Sequence, residues 1–88
     1  MTTTDLMYDE TEVTTTRFVG FIGEYGRFDL AIVTTNRFFG KRLVISIQSG
    51  RSAILTADEA EDADYIAMAF QVSEQEASEL ATFLTNNL

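Results

Sequence analysis

Lys41-Arg42-Leu43-Val44-Ile45-Ser46-Ile47-Gln48, then Ser49-Gly50, then Arg51-Ser52-Ala53-Ile54-Leu55-Thr56, is the most strongly patterned run of this chain. In its first eight residues Leu43, Ile45 and Ile47 point one way and Val44, Ser46 and Gln48 the other, which is the period of a strand. Ser49-Gly50 reads as a tight two-residue turn, and Arg51 to Thr56 as the returning strand. A hairpin at this point commits the chain to antiparallel pairing.

Working back from the hairpin, Arg27 to Thr35 reads as another strand. Its middle, Leu30-Ala31-Ile32-Val33, is apolar on both faces, which predicts a central position in the sheet. Gly23-Glu24-Tyr25-Gly26 reads as a hairpin loop whose glycines supply positive φ. It leads back to Thr14 to Ile22, where Phe18, Gly20 and Ile22 alternate against Val19 and Phe21. A turn near Thr35-Asn36-Arg37 precedes Phe38-Phe39-Gly40, where an isolated glycine suggests a bulge. Three hairpin connections in succession predict a meander.

Working forward, the chain ends in a helix. Ser73-Glu74-Gln75-Glu76 has the capping-box form, with Val72 and Ala77 at the staple positions. Ala77, Leu80, Ala81, Leu84 and Leu88 recur at intervals of three and four and make one apolar stripe, which Phe83 widens. Residues 57–71 admit two readings. Ala60, Ala63, Ala67 and Phe70 fit a helix, the reading we favour, while Ile66, Met68 and Phe70 alternate as a fifth strand would. The expectation is an α+β fold: a four-stranded antiparallel meander, a fifth strand left open, and the C-terminal helix packed on one face. Residues 1–12, polar and acidic, read as a flexible arm, and 13–88 as one domain.

Composition narrows the chemistry. The 88 residues include no Cys and no His. That removes disulfides, thiolate zinc sites, the commonest general base and the commonest metal ligand. Neither a metal nor a cofactor is expected. The first sixteen residues are acidic and Thr-rich, unlike a secretory signal, and no apolar stretch approaches the roughly 18 to 20 residues of a membrane span. A soluble cytoplasmic protein with no membrane partner is the expectation.

Charge is segregated. All six basic residues lie between Arg17 and Arg51, against only Glu24 and Asp29, a local balance of +4 within a chain of net charge −8. The complementary segments can meet within one molecule, between copies, or on a partner.

The motifs that suggest sites are weak. Asp58-Glu59-Ala60-Glu61-Asp62-Ala63-Asp64 offers oxygen ligands without the register of a calcium loop, and a solvated connection or helix face explains it. Gly20, Gly23 and Gly26 precede a strand rather than a helix, so they do not make a phosphate loop. Ser46, Ser49 and Ser52 have no histidine to activate them, so an enzyme is not expected. Asp29 is expected to pair with an arginine across the sheet.

The middle segment carries more. Arg17-Phe18, Arg27-Phe28, Arg37-Phe38-Phe39 and Lys41-Arg42 repeatedly set cations beside rings. Adjacent residues on a strand point to opposite faces, so rings turned to the helix leave a basic outer sheet face. Arg17, Arg27, Arg37, Phe38, Phe39, Lys41 and Arg42 are therefore the candidate partner-binding residues. Tyr25, Phe38 and Phe39 either form an interface or fold back over the end of the core, and both readings stand. The function expected is a non-enzymatic module that self-associates, as a homodimer through its sheet or aromatic loops, or docks a protein partner. The alternative is a binder of single-stranded nucleic acid or a phospholigand through the basic face.

Thr16-Arg17-Phe18-Val19, Gly23-Glu24, Arg27-Phe28-Asp29-Leu30-Ala31, Arg37-Phe38-Phe39-Gly40-Lys41 and Gly50-Arg51 resemble a family of short bacterial cytosolic proteins defined only as a domain of unknown function. The likeness extends through Tyr8-Asp9 and the Ser73 to Leu84 helix. It implies a stand-alone cytosolic domain and assigns no functional residue.

Overall fold

The alternation of β-branched and aromatic residues produces four strands in the computed structural model, which describes residues 4–88. They are β1 (Thr15–Ile22), β2 (Arg27–Thr34), β3 (Arg42–Ser46) and β4 (Ser52–Leu55). All neighbours pair antiparallel in the order β1-β2-β3-β4, so the expected meander forms, with β2 in its interior. Residues 57–71 resolve as helices, α1 (Ala57–Ala60) and α2 (Ala63–Phe70), and α3 (Glu74–Asn87) follows. No fifth strand appears among the described residues.

Side-chain oxygens start each helix. Thr56 and Glu59 form a capping box at α1, Asp62 accepts from the N–H groups of Asp64 and Tyr65 at 3.1 Å, and Ser73 and Glu76 form the expected box at α3. Glu59 and Asp62 of the acidic run therefore satisfy helix termini. Among the described residues no cluster of acids is arranged to hold a metal ion. No helix among the described residues is long and apolar enough to cross a membrane.

The core lies between one sheet face and the helices. Phe28, Leu30, Val44, Ala53 and Leu55 meet Ala60, Ile66, Phe70, Ala77, Leu80 and Leu84, all buried. Phe21 extends this layer, its ring stacked between Phe28 (4.9 Å between centroids) and Phe83 (4.4 Å). The stripe assigned to the last helix is the stripe it buries.

Three local expectations change. The β3–β4 connection is longer than two residues: it runs from Ile47 to Arg51 and is closed by Gly50 N–H to the Ser46 carbonyl at 2.8 Å and by Ser46 N–H to the Arg51 carbonyl at 2.7 Å. In place of a bulge at Gly40, a short 3₁₀ turn (Asn36–Phe38) is followed by Phe39 (φ 53°) and Gly40 (φ 87°) in the left-handed region. Gly23 and Gly26 do not have positive φ. Small size is required there for close approach. The Glu79 carboxylate of α3 accepts from the N–H groups of Glu24 and of Tyr25 (3.0 Å), and a Cβ on Gly23 would occupy the space of that carboxylate.

Candidate interaction surfaces

Because the core fixes which side of each strand faces the helices, the register identifies the residues on the other side. One row across the strands is Thr16, Val33, Leu43 and Ile54, and the next is Phe18, Ala31, Ile45 and Ser52. Beyond them lie Gly20 beside Asp29 and Ile22 beside Arg27. Among the described residues, no helix packs over this surface as the helices pack over the other. Phe18 is 76% and Ile22 82% exposed, Ile54 is exposed, and Val33, Leu43 and Ile45 are half-buried. The outer face is thus an apolar sheet surface open to solvent, the kind that marks an interaction site.

Its ionisable side chains, among the described residues, are Arg27 and Asp29, which pair with each other along β2 at 3.1 Å. Asp29 finds its arginine two residues away on its own strand, not across the sheet as expected. Beside Phe18, Gly20 opens a shallow notch lined with Phe21, Ile22, Arg27 and Asp29, into which the Asp29 carboxylate leans.

The expected basic outer face is corrected by this register. Arg17 lies opposite Ile32, and Arg42 opposite Thr34 and Leu55, so both belong to the helix side at its margin. Arg27 is on the outer face, neutralised by Asp29. Arg37 and Lys41 lie outside the strands. The physical reason is that Arg17, Phe21, Phe28 and Arg42 share strand parity with the core residues, and parity puts the two arginines on the helix side of the sheet.

A second surface surrounds the 3₁₀ turn. Arg37 bonds Glu10 at 2.6 Å, approaches Glu12 at 3.6 Å, and lies 5.7 Å from the centre of the Tyr8 ring. Glu12 also accepts from the Thr35 hydroxyl and from the Asn36 N–H at 3.2 Å. The Thr35 bond, helped by Asn36 and Arg37, holds the Glu12 carboxyl below its ordinary pKa against the opposing effect of desolvation. Lys41 reaches Glu59 at 3.1 Å. Glu59 is likewise held low, first by the Thr56 N–H and then by Lys41. Arg37 and Lys41 are therefore matched to acids of the N-terminal and C-terminal segments within one molecule. Phe38 is half-buried in the turn, whereas Phe39 is 98% exposed in its left-handed conformation. Arg17, Arg42 and Arg51 hold no ion pair among the described residues.

Of the seven residues singled out in the sequence, Arg37, Phe38, Phe39 and Lys41 share the turn region, and the other three are dispersed. The apolar outer face was missed. Its signal lay in the apolar residues on both parities of β2, Ala31 and Val33 as well as Leu30 and Ile32, and in Leu43 and Ile45 of β3, which lie with Ala31 and Val33 on the side that the helices do not cover.

A family model described as SAV0927-like matches residues 7–86, and the chain belongs to that small uncharacterised family. No curated protein matches the chain.

Proposed function

We propose that this member of the family is a non-enzymatic interaction module whose working surface is the outer face of the sheet. The observation that carries the reading is a contiguous apolar surface across four strands, from Phe18 to Ile54, with its one ion pair internally matched. Exposed apolar area of this kind gains free energy when a partner removes it from water. The chemistry of catalysis has little to work with, since histidine and cysteine are absent and the serines have no base. A cytoplasmic setting suits a cysteine-free chain.

Nucleic-acid binding is the weaker reading. It needs a continuous cationic track, while Arg27, Arg37 and Lys41 are each matched to a carboxylate and the chain carries net charge −8. The test is purification of the native protein with identification of whatever stays bound, repeated with Phe18→Asp and with Arg37→Glu. The reading expects the bound protein to be lost with Phe18→Asp and kept with Arg37→Glu. Retention of a nucleic acid that only Arg37→Glu releases would favour the other surface.

A further inference from the structure

Resting on that reading of the outer sheet face, we propose that its occupant is a second copy of this chain, docked face to face so that the Phe18 ring of each copy sits over the Gly20 notch of the other.

Charge is the first argument. Two molecules of net charge −8 repel, and a contact between them adds no further repulsion where the meeting surface carries no net charge. The outer face is such a surface: Arg27 and Asp29 cancel within 3.1 Å, and the rest of its two central rows is apolar or hydroxylic.

Shape is the second. Sheets stack about 10 Å apart, a gap that accommodates a large side chain opposite a small one but not two large ones opposed. Phe18 is the one ring of the central rows and is 76% exposed, while Gly20, two residues along the same strand, carries no side chain and has the Asp29 carboxylate 3.0 Å from where a Cβ would stand. A knob and a notch side by side on one surface are self-complementary under a two-fold axis, because each copy offers what the other lacks. The partner's Arg27, at the wall of its notch, then lies beside the inserted ring, a favourable cation–ring contact. A single unrelated partner would require neither feature on this chain twice over.

Area is the third. Four strands about 4.8 Å apart and five residues long, at about 3.3 Å each, give a flat footprint of about 320 Å². Side-chain relief brings this toward the ~500 Å² per partner of the smallest specific interfaces, so the pairing is reversible on dilution. Because the contact is apolar and the bodies repel, added salt strengthens it. An antiparallel alignment of the segregated charges would weaken instead.

Sedimentation equilibrium from about 5 to about 500 µM, at low and high salt, tests the proposal. Wild type is expected to pair within this range, more tightly at high salt. Phe18→Asp and Gly20→Val should each weaken pairing by about tenfold or more, with the circular-dichroism melt of the dilute protein retained. Arg37→Glu should pair as wild type does. A wild type that stays monomeric throughout overturns the proposal, as does a dimer indifferent to both Phe18→Asp and Gly20→Val. If wild type is monomeric but Phe18→Asp still abolishes capture of an identified protein, the face remains the working surface and self-pairing alone fails. If neither is affected, both fail.

Discussion

On the helix side of the sheet, Leu30, Val44 and Leu55 meet Ile66, Leu80 and Leu84 and are sealed from water. On the outer side, Phe18, Val33, Leu43, Ile45 and Ile54 belong to the same strands, are as apolar, and meet solvent. The difference lies in what the chain supplies to cover each side. Its three helices suffice for one layer, and their stripe, from Ala77 to Leu84, is spent entirely on the inner face. Apolar patterning on a strand therefore records a demand for burial, and on the second side we propose that a second copy meets it.

The comparison breaks first at its largest expected effect. Leu80→Ala and Leu84→Ala should each cost ~2 to 4 kcal/mol in denaturant unfolding, since each leaves a cavity in a closed core. Ile54→Ala on the outer face, measured in dilute protein, should cost less than ~1 kcal/mol. Equal losses on the two sides would mean that the outer face is covered within the monomer.

Next in size is the contact that ties α3 to the β1–β2 loop. Glu79→Ala removes a carboxylate that accepts from two loop N–H groups and should cost ~1 to 2 kcal/mol. Gly23→Ala expels the same carboxylate and should cost ~1 to 3 kcal/mol. Since both act on one contact, the double variant should lose less than the two singles added together. Full additivity in thermal melts would show the glycine acting through some other contact.

The helix caps come next. Ser73→Ala and Thr56→Ala should each cost ~1 kcal/mol, well below Leu80→Ala. A Ser73→Ala loss as large as that of Leu80→Ala would remove the distinction between starting the helix and burying its stripe.

The smallest effects are electrostatic and lie away from both sheet faces. Glu12 and Glu59 titrate below the ordinary glutamate value of 4.5 in the folded protein. A lowered folded-state pKa means that both support the fold above pH 4.5, and that this support is lost as pH falls through their lowered values. Lys41→Met should raise the Glu59 midpoint only part of the way, because the Thr56 N–H is the larger cause. A carboxyl-resolved NMR titration in which Glu59 returns fully to 4.5 in Lys41→Met would reverse that order.

How much of this was legible differs by region. The order of strands, the final helix, its cap and its stripe follow from local periodicity and capping chemistry, and each is a property of a few neighbouring residues. Residues 57–71 read both ways because Ile66 and Phe70 satisfy both periods. The Thr56–Glu59 box and the Asp62 cap, which decide for helix, were hidden within what looked like a run of acids. The close approach at Gly23 depends on Glu79, 56 positions away, and no local signal encodes it. The fate of the arginines was misread for a similar reason. Parity alone does not say which side of a strand the helices choose, and in β3 they cover Val44 and leave Leu43 and Ile45 on the outer side.

The most direct test follows the methyl groups of both sides through a dilution series with a soluble paramagnetic probe. The methyls of Leu43, Ile45 and Ile54 should be shielded at high concentration and become exposed on dilution, and they should be exposed at every concentration in Phe18→Asp. Those of Ile66, Leu80 and Leu84 should stay shielded throughout. Outer-face methyls that are equally exposed at every concentration in wild type and in Phe18→Asp would contradict the claim that a second copy covers this face.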